Sequence, residues 1–511
     1  MAASLRYLLT LLTLAAMMAV MLPLLPAAGL LFSPAFSSAN WQALFADPQV
    51  PQALTATLVS SLIATGGALM IALCAMAALW PSAGWQKLIS RLPLLLAIPH
   101  VAFAASALLL FAEGGWLFQL CGRCTPLVDR YGIGMGLTLA VKESGFILWA
   151  MYGVLGEKRL AQQTLVLKSL GYSRWQCLNM LVLPAIAPAL GLVLLATGAW
   201  TLSVVDVALM LGPGNPPTLA VLAWSWLNQI DALQQTKGQL ACLLLVMLLA
   251  VMALIIFGGW RLQQRRAPRA DGVRHRQRSH PAGQAFSLAL PGSGVLCVVV
   301  LLAMARLALP TTESLNNSLW LALLSCLCGG VLCLLWLEWG IARLTPWLFL
   351  PLLLPTLPLV AGQYQLVLHL WLDGSFIAVF WGHLLWVVPW MLFVLHPAWR
   401  RLDPRLLLIA RTLGWSQGRI FLQVKCPQLM RAILSALAVG FSVSIAQYLP
   451  TLWLGGGRIP TLTTDAVAQS SGGSLHWLAI SSLWQLLLPA LMFTLVALLT
   501  RAVAHYRQGL R

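Results

Sequence analysis

Five side chains able to carry charge stand inside otherwise apolar stretches: His100, the adjacent Lys142 and Glu143, Asp206 and His383. An ionised group at the centre of a membrane helix costs roughly 2.5–3.5 kcal/mol, so such groups pair, face an interior or line a pore. Asp206 and the Lys142–Glu143 pair are the candidates for contact with a polar solute. The competing expectation is that Lys142 and Asp206 pair with each other, because a rise of about 1.5 Å per residue sets both in the outer half of their helices. The two histidines read as hydrogen-bonding links between helices. Ser203, just before Asp206, and Ser444 and Gln447 further on are the polar residues that such a solute would meet. No catalytic constellation accompanies them: the chain has no paired carboxylates, His-rich ligand set or nucleophile elbow. It also lacks the Gly-x-x-x-x-Gly-Lys-Ser/Thr loop that cradles a nucleotide phosphate. Neither an enzyme nor an ATP-binding protein is expected.

The elements that hold these residues follow from composition. Of 511 residues 60% are hydrophobic and 9% charged, and the mean hydropathy is +0.85, far from the globular average. An all-α integral membrane protein is expected, since a bilayer core of about 30 Å needs about 20 apolar residues per helix and leaves the backbone to satisfy itself. Apolar runs occupy roughly 7–32, 53–80, 92–112, 136–156, 181–210 and 238–260, then 293–310, 316–340, 347–370, 376–397, 430–450 and 479–500. The seventh is short and carries Arg306. The N-terminal run is too long for a typical secretory signal. Most of the ten cysteines read as small apolar fillers. Cys121 and Cys124 are the exception, in an external loop where they form a small disulfide or stay free thiols; a zinc site would need two more ligands, and none stands nearby.

Basic residues fix the orientation. With both termini inside, 25 of the 31 Lys and Arg fall in cytoplasmic segments, leaving only Arg123, Arg130, Lys142, Lys237, Arg306 and Arg458 elsewhere. Moving one helix in or out of the count spoils this segregation. Twelve helices with cytoplasmic N- and C-termini are therefore expected. The net charge of +18 is largely this asymmetry, and it carries no nucleic-acid signature. Residues 261–285, rich in Arg, read as a basic cytoplasmic linker that lies on anionic lipid.

The chain is also doubled. Leu211-Gly-Pro-Gly-Asn-Pro-Pro-Thr-Leu219 and Leu454-Gly-Gly-Gly-Arg-Ile-Pro-Thr-Leu462 agree at six of nine positions, 243 residues apart. The same offset joins Leu170, Gly171 and Ser173 to Leu413, Gly414 and Ser416, and Pro184 to Pro427. One shift explains every match, so two tandem units, 1–260 and 286–511, flank the linker. Each holds six helices, an even number, so the units are parallel rather than inverted.

Between the fourth and fifth helices of each unit, a glycine is followed after nine residues by Leu181-Val-Leu-Pro184 or Val424-Lys-Cys-Pro427. This pattern resembles the coupling loop of ABC importer permeases, in which Glu-Ala-Ala, three residues, Gly and nine residues precede Ile-x-Leu-Pro. The resemblance covers nearly the whole chain and is greatest to fused two-module permeases of the iron(III) and thiamine type. Leu165-Val166-Leu167 and Leu408-Ile409-Ala410 stand where the family has Glu-Ala-Ala, so the acidic residue is absent from both loops. The resemblance implies a hairpin in which glycine turns the chain and proline starts the returning helix. It implies two copies of a cytoplasmic ATPase subunit, which bind the ATP so that the permease needs no cofactor. It also implies a periplasmic solute-binding protein and a bacterial inner-membrane location. Gly212, Gly214, Pro217, Thr218, Gly455, Gly457, Pro460 and Thr461 are expected either to form the periplasmic gate and docking surface or to serve as plain capping loops. The alternative function is an ion-driven secondary transporter with two six-helix halves. That architecture calls for a basic loop with Asp and Gly between the second and third helices, and the loop Trp80–Arg91 has no Asp.

Overall fold

A computed structural model describes residues 3–112, 115–117, 129–157, 160–265 and 281–508. The expected pair Cys121 and Cys124 and most of the linker lie outside the described residues. The described residues form helices and no strand. Ten helices among them are long and apolar enough to cross a membrane.

The two remaining apolar runs are not continuous helices. Residues 92–112 divide into Ala83–Leu96 and His100–Phe111, and 347–370 into Ala342–Leu353 and Thr356–His369, bent by 104°. Proline is the physical cause. Pro99 and Pro355 lack an amide donor and push the preceding residue out of helical geometry, and Leu354 is accordingly extended, with ψ 151°. Arg306 is not inside a helix either. It follows the end of Pro281–Ala305, where Arg306 and Leu307 turn through positive φ of 48° and 56°.

The 243-residue offset reappears in the elements themselves. Ile133–Glu157 matches Phe376–Arg400 at both ends, Asp206–Leu211 matches Leu449–Leu454, Leu219–Leu227 matches Leu462–Ser470, and Ala232–Arg265 matches Leu475–Gln508.

Small residues bring the helices together. Ala64, Ala68, Ala72 and Ala75 line one face of Val50–Leu79 and are fully buried. A Cβ at Gly67 would lie 2.9 Å from that of Ala140, and one at Gly136 would lie 2.9 Å from the Ser60 carbonyl. In lipid there is little hydrophobic drive between helices, so this close approach of Val50–Leu79 to Ile133–Glu157 stabilises through dispersion.

The first helix of each half packs on the opposite half. Met17 and Val20 of Ala3–Met21 sit in a cluster with Trp336, Leu384 and Val387, and Trp381 donates its indole N–H to the Ala19 carbonyl at 3.0 Å. Reciprocally, Pro281–Ala305 lies against Val50–Leu79, Ala83–Leu96 and His100–Phe111.

Candidate functional site

Each glycine-to-proline segment folds into the same hairpin. In the first, Leu160–Ser169 ends in a turn where the Gly171 amide donates to Lys168 O and the Tyr172 amide to Leu167 O, both at 3.1 Å. In the second, Pro404–Thr412 ends with Gly414 donating to Arg411 O and Trp415 to Ala410 O, at 3.0 and 3.1 Å. This pairing is the Schellman motif, which places its glycine in the left-handed region, and φ is 94° at Gly171 and 75° at Gly414. Ser173 and Ser416 then cap the return: Ser173 Oγ accepts the Gln176 amide and Ser416 Oγ the Arg419 amide.

The returning helix thus begins at Arg174 and Gln417, well before the prolines expected to start it. Pro184 and Pro427 instead follow a single wide turn, in which the Leu183 amide reaches back five residues to Leu178 O and the Cys426 amide to Phe421 O. Such a wide turn adds a residue to the coil next to a position that has no N–H to give.

The hairpins are fastened by different chemistry. A helix leaves its last four carbonyls without partners. At the end of Val50–Leu79, Lys168 Nζ donates to Trp80 O at 2.7 Å and Arg174 to Ala78 O. Burial, and then the neighbouring Arg174, hold the Lys168 pKa below its ordinary value of 10.5. In the second half the buried Glu338, near the end of Thr312–Trp339, accepts Lys425 Nζ at 2.5 Å and Gln417 Nε2 at 3.0 Å. Leu165, Val166 and Leu170 on one hairpin, and Leu408, Ile409 and Leu413 on the other, are exposed. The second also frames an open apolar groove of about 290 Å³ between Leu406, Ile409, Leu413, Trp415, Val424 and Pro427.

The charged residues of the interior do not form the expected Lys142–Asp206 pair. Lys142 Nζ donates to Leu95 O, the carbonyl that Pro99 cannot serve because it has no amide hydrogen. His100 Nε2 donates to Glu143 Oε1 at 2.7 Å, and its ring lies 4.2 Å from that of Trp200. Asp206 Oδ1 accepts the Val207 amide at 2.9 Å. Ser203 does not face open space: its Oγ donates to Ala199 O and accepts the Thr356 amide at 2.8 Å, so a first-half hydroxyl caps a second-half helix.

His383 is the link between helices that its type suggested. Its Nδ1 lies 2.8 Å from Ser444 Oγ and its Nε2 2.9 Å from Thr451 Oγ1. Since the Thr451 hydroxyl already donates to Gln447 O, Nε2 must carry the proton and Nδ1 accept one from Ser444. Gln447 Nε2 donates to the His383 carbonyl at 3.1 Å.

The two glycine-rich loops are held alike. Leu219 N donates to Thr57 Oγ1 at 2.8 Å, and Leu462 N to Ser318 Oγ at 2.9 Å. Gly212 and Gly455 leave no room for a side chain, since a Cβ would come within 2.4 Å of Ala208 O or 2.6 Å of Thr451 O. Left-handed glycines turn only the second loop, at Gly456 and Gly457; Gly214 has ordinary φ, and Pro213, Pro216 and Pro217 shape the first. Thr461 caps its helix reciprocally with Thr464, and the Pro460 carbonyl accepts Asn317 Nδ2 at 3.0 Å. The buried Thr218 hydroxyl has no hydrogen-bond partner among the described residues.

No family model and no solved structure matches the chain. Its sequence is 60% identical, over all 511 residues and the full length of both proteins, to the inner membrane ABC transporter permease protein YnjC of Escherichia coli K12. The chain belongs to the ABC transporter permeases. Two partial relatives agree: homologues of the spermidine/putrescine transport system permease PotC from Mycoplasma genitalium and Mycoplasma pneumoniae. Each is 29% identical, over 21% and 19% of this chain and 38% and 34% of its own length. This permease is thus a multi-pass inner-membrane transport subunit, and the ion-driven alternative is set aside.

Sequence reasoning missed Glu338 in this permease. Its signal was available: a lone acid closing a long apolar run whose far end, by the positive-inside count, meets a basic hairpin. The capping roles of Lys168 and Arg174 had no such signal, because any Lys or Arg at a helix end looks the same in sequence.

Proposed function

We propose that this permease is the complete translocating subunit of an ABC importer of the iron(III) and thiamine type, with two fused six-helix modules, 1–260 and 286–511, in one chain. Counting each broken run as one crossing makes twelve, with both termini cytoplasmic. The hairpins project into the cytoplasm, where each docks one copy of an ATPase subunit through its exposed leucines and its valine or isoleucine. The glycine-rich loops face the periplasm and receive a solute-binding protein. Ser444, Gln447, Lys142 and Asp206 stand beside the path, with Ser203 joining its two walls.

The observation that carries this reading is the repetition, 243 residues apart, of a Schellman glycine, a serine cap, a wide turn and a proline. Two such rigid levers, each tied to a membrane helix, suit the transmission of a partner's motion. The partial relatives are named for spermidine and putrescine, both organic cations, which agrees with a cationic solute.

Valine at Gly171 and Gly414 tests the assignment. No atom stands within 4 Å of a Cβ at Gly414, so the substitution strains the turn without disturbing the packing. Left-handed backbone costs an ordinary residue about 1–2 kcal/mol, and a β-branched one more. The double variant is expected to insert normally and to lose co-purification with the ATPase. Undiminished association would overturn the coupling role, as would ion-driven uptake by the permease alone in vesicles.

A further inference from the structure

Asp206 lies deep in the molecule, where Asp206–Leu211 of the first half meets Leu462–Ser470 of the second and Tyr448 comes within electrostatic reach of its carboxylate. Oδ1 is held by the backbone at the start of its own helix. No side chain among the described residues hydrogen-bonds to the carboxylate, and the residue is partly exposed. The carboxylate is therefore partly open where elements of the two halves meet.

No basic side chain forms an ion pair with it among the described residues. Lys142 and Glu143 are neighbours that offset each other, and His100, half-exposed and within reach of Asp206, donates its Nε2–H to Glu143. A buried charge without a counter-ion is costly. A second, independent sign of an absent ligand is Tyr448. It is 8% exposed, and its hydroxyl has no hydrogen-bond partner among the described residues.

We propose that Asp206 is the counter-ion of an organic cation crossing the seam between the halves, with the Tyr448 hydroxyl and the rings of Tyr448 and Trp200 as its further contacts. Aromatic faces attract cations, most strongly where water is excluded. The proposal names the solute class for the import path; it rests on that reading for the identity of the seam as a path, not for the carboxylate that lies there.

The test needs no knowledge of the natural solute. In full-length Tyr448→Cys permease in lipid nanodiscs, the thiol is treated with a cationic methanethiosulfonate bearing trimethylammonium or an anionic one bearing sulfonate. Modification is read by mass spectrometry on the peptide carrying position 448, apart from the native cysteines. The cationic reagent is expected to react several-fold faster, relative to its rate with free cysteine in solution. Asp206→Asn should remove most of that several-fold preference, as loss of one nearby charge predicts, and Asp206→Glu should preserve it. His100→Cys supplies a second reporter on the first half should Tyr448→Cys fail to fold. A preference unchanged by Asp206→Asn would mean that the carboxylate does not act as an anion there, and would overturn the proposal. So would the absence of modification by either reagent. Because neither the ATPase nor a binding protein takes part, this experiment can fail while the hairpin experiment succeeds, and the converse.

Discussion

Glu338 is a carboxylate with 1% of its side chain exposed, and both of its oxygens are engaged by the second hairpin. Removing it leaves Lys425, itself 13% exposed, as a charge without a counter-ion. Breaking a buried pair from one side costs about 3–5 kcal/mol, whereas replacing both partners by apolar groups of like size is often neutral. Glu338→Leu is therefore expected to lower the thermal unfolding temperature clearly and to weaken ATPase association, while Glu338→Leu with Lys425→Met recovers most of the thermal loss. Differential scanning fluorimetry in detergent checks the first statement and co-purification the second. Much of the chemistry at this scale was legible, such as the absent acids at Leu165 and Leu408 and the depth of Lys142, Asp206 and His383. Partnerships were not. Lys425 finds its acid 87 residues away in sequence, and Lys142 takes a backbone carbonyl that only a broken helix exposes.

At the scale of elements, helices were legible wherever apolarity ran unbroken, and the repeat was legible because turns demand particular residues: a left-handed turn at 171 or 414 admits little but glycine. Breaks were not, since hydropathy averages across Pro99 and Pro355 as though they were ordinary apolar residues. Two further breaks, at Val204–Val205 and between Ile445 and Leu449, separate the returning helices from the short helices of the seam. They are secured unequally. His383 ties Ser444, before the second break, to Thr451, after it, but Ala140, Thr201 and Ala208 occupy the matching places in the first half. An alanine offers no such tie. His383→Ala should therefore destabilise by about 2–4 kcal/mol, from two stranded hydroxyls and a cavity. Thermal unfolding measures it, and ATPase co-purification is expected to be unaffected because the hairpins lie at the far end of the helices.

The whole molecule is an interlocked pair. Met17 and Val20 are buried on the second half, and Cys297 and Val300 on the first, so each half keeps part of the other's core. Cleavage at a protease site placed in residues 261–285 is expected to leave the halves co-purifying in mild detergent, since dispersion across two exchanged helices, and not the linker, joins them. Free halves after cleavage would contradict this. The exchange also sets an order of events at the ribosome. The opening helix, Ala3–Met21, enters the lipid long before the residues that will receive it, 312–400, have been translated. A nascent chain halted midway therefore displays an orphaned leading segment whose buried partners, Trp336, Leu384 and Val387, have yet to be made.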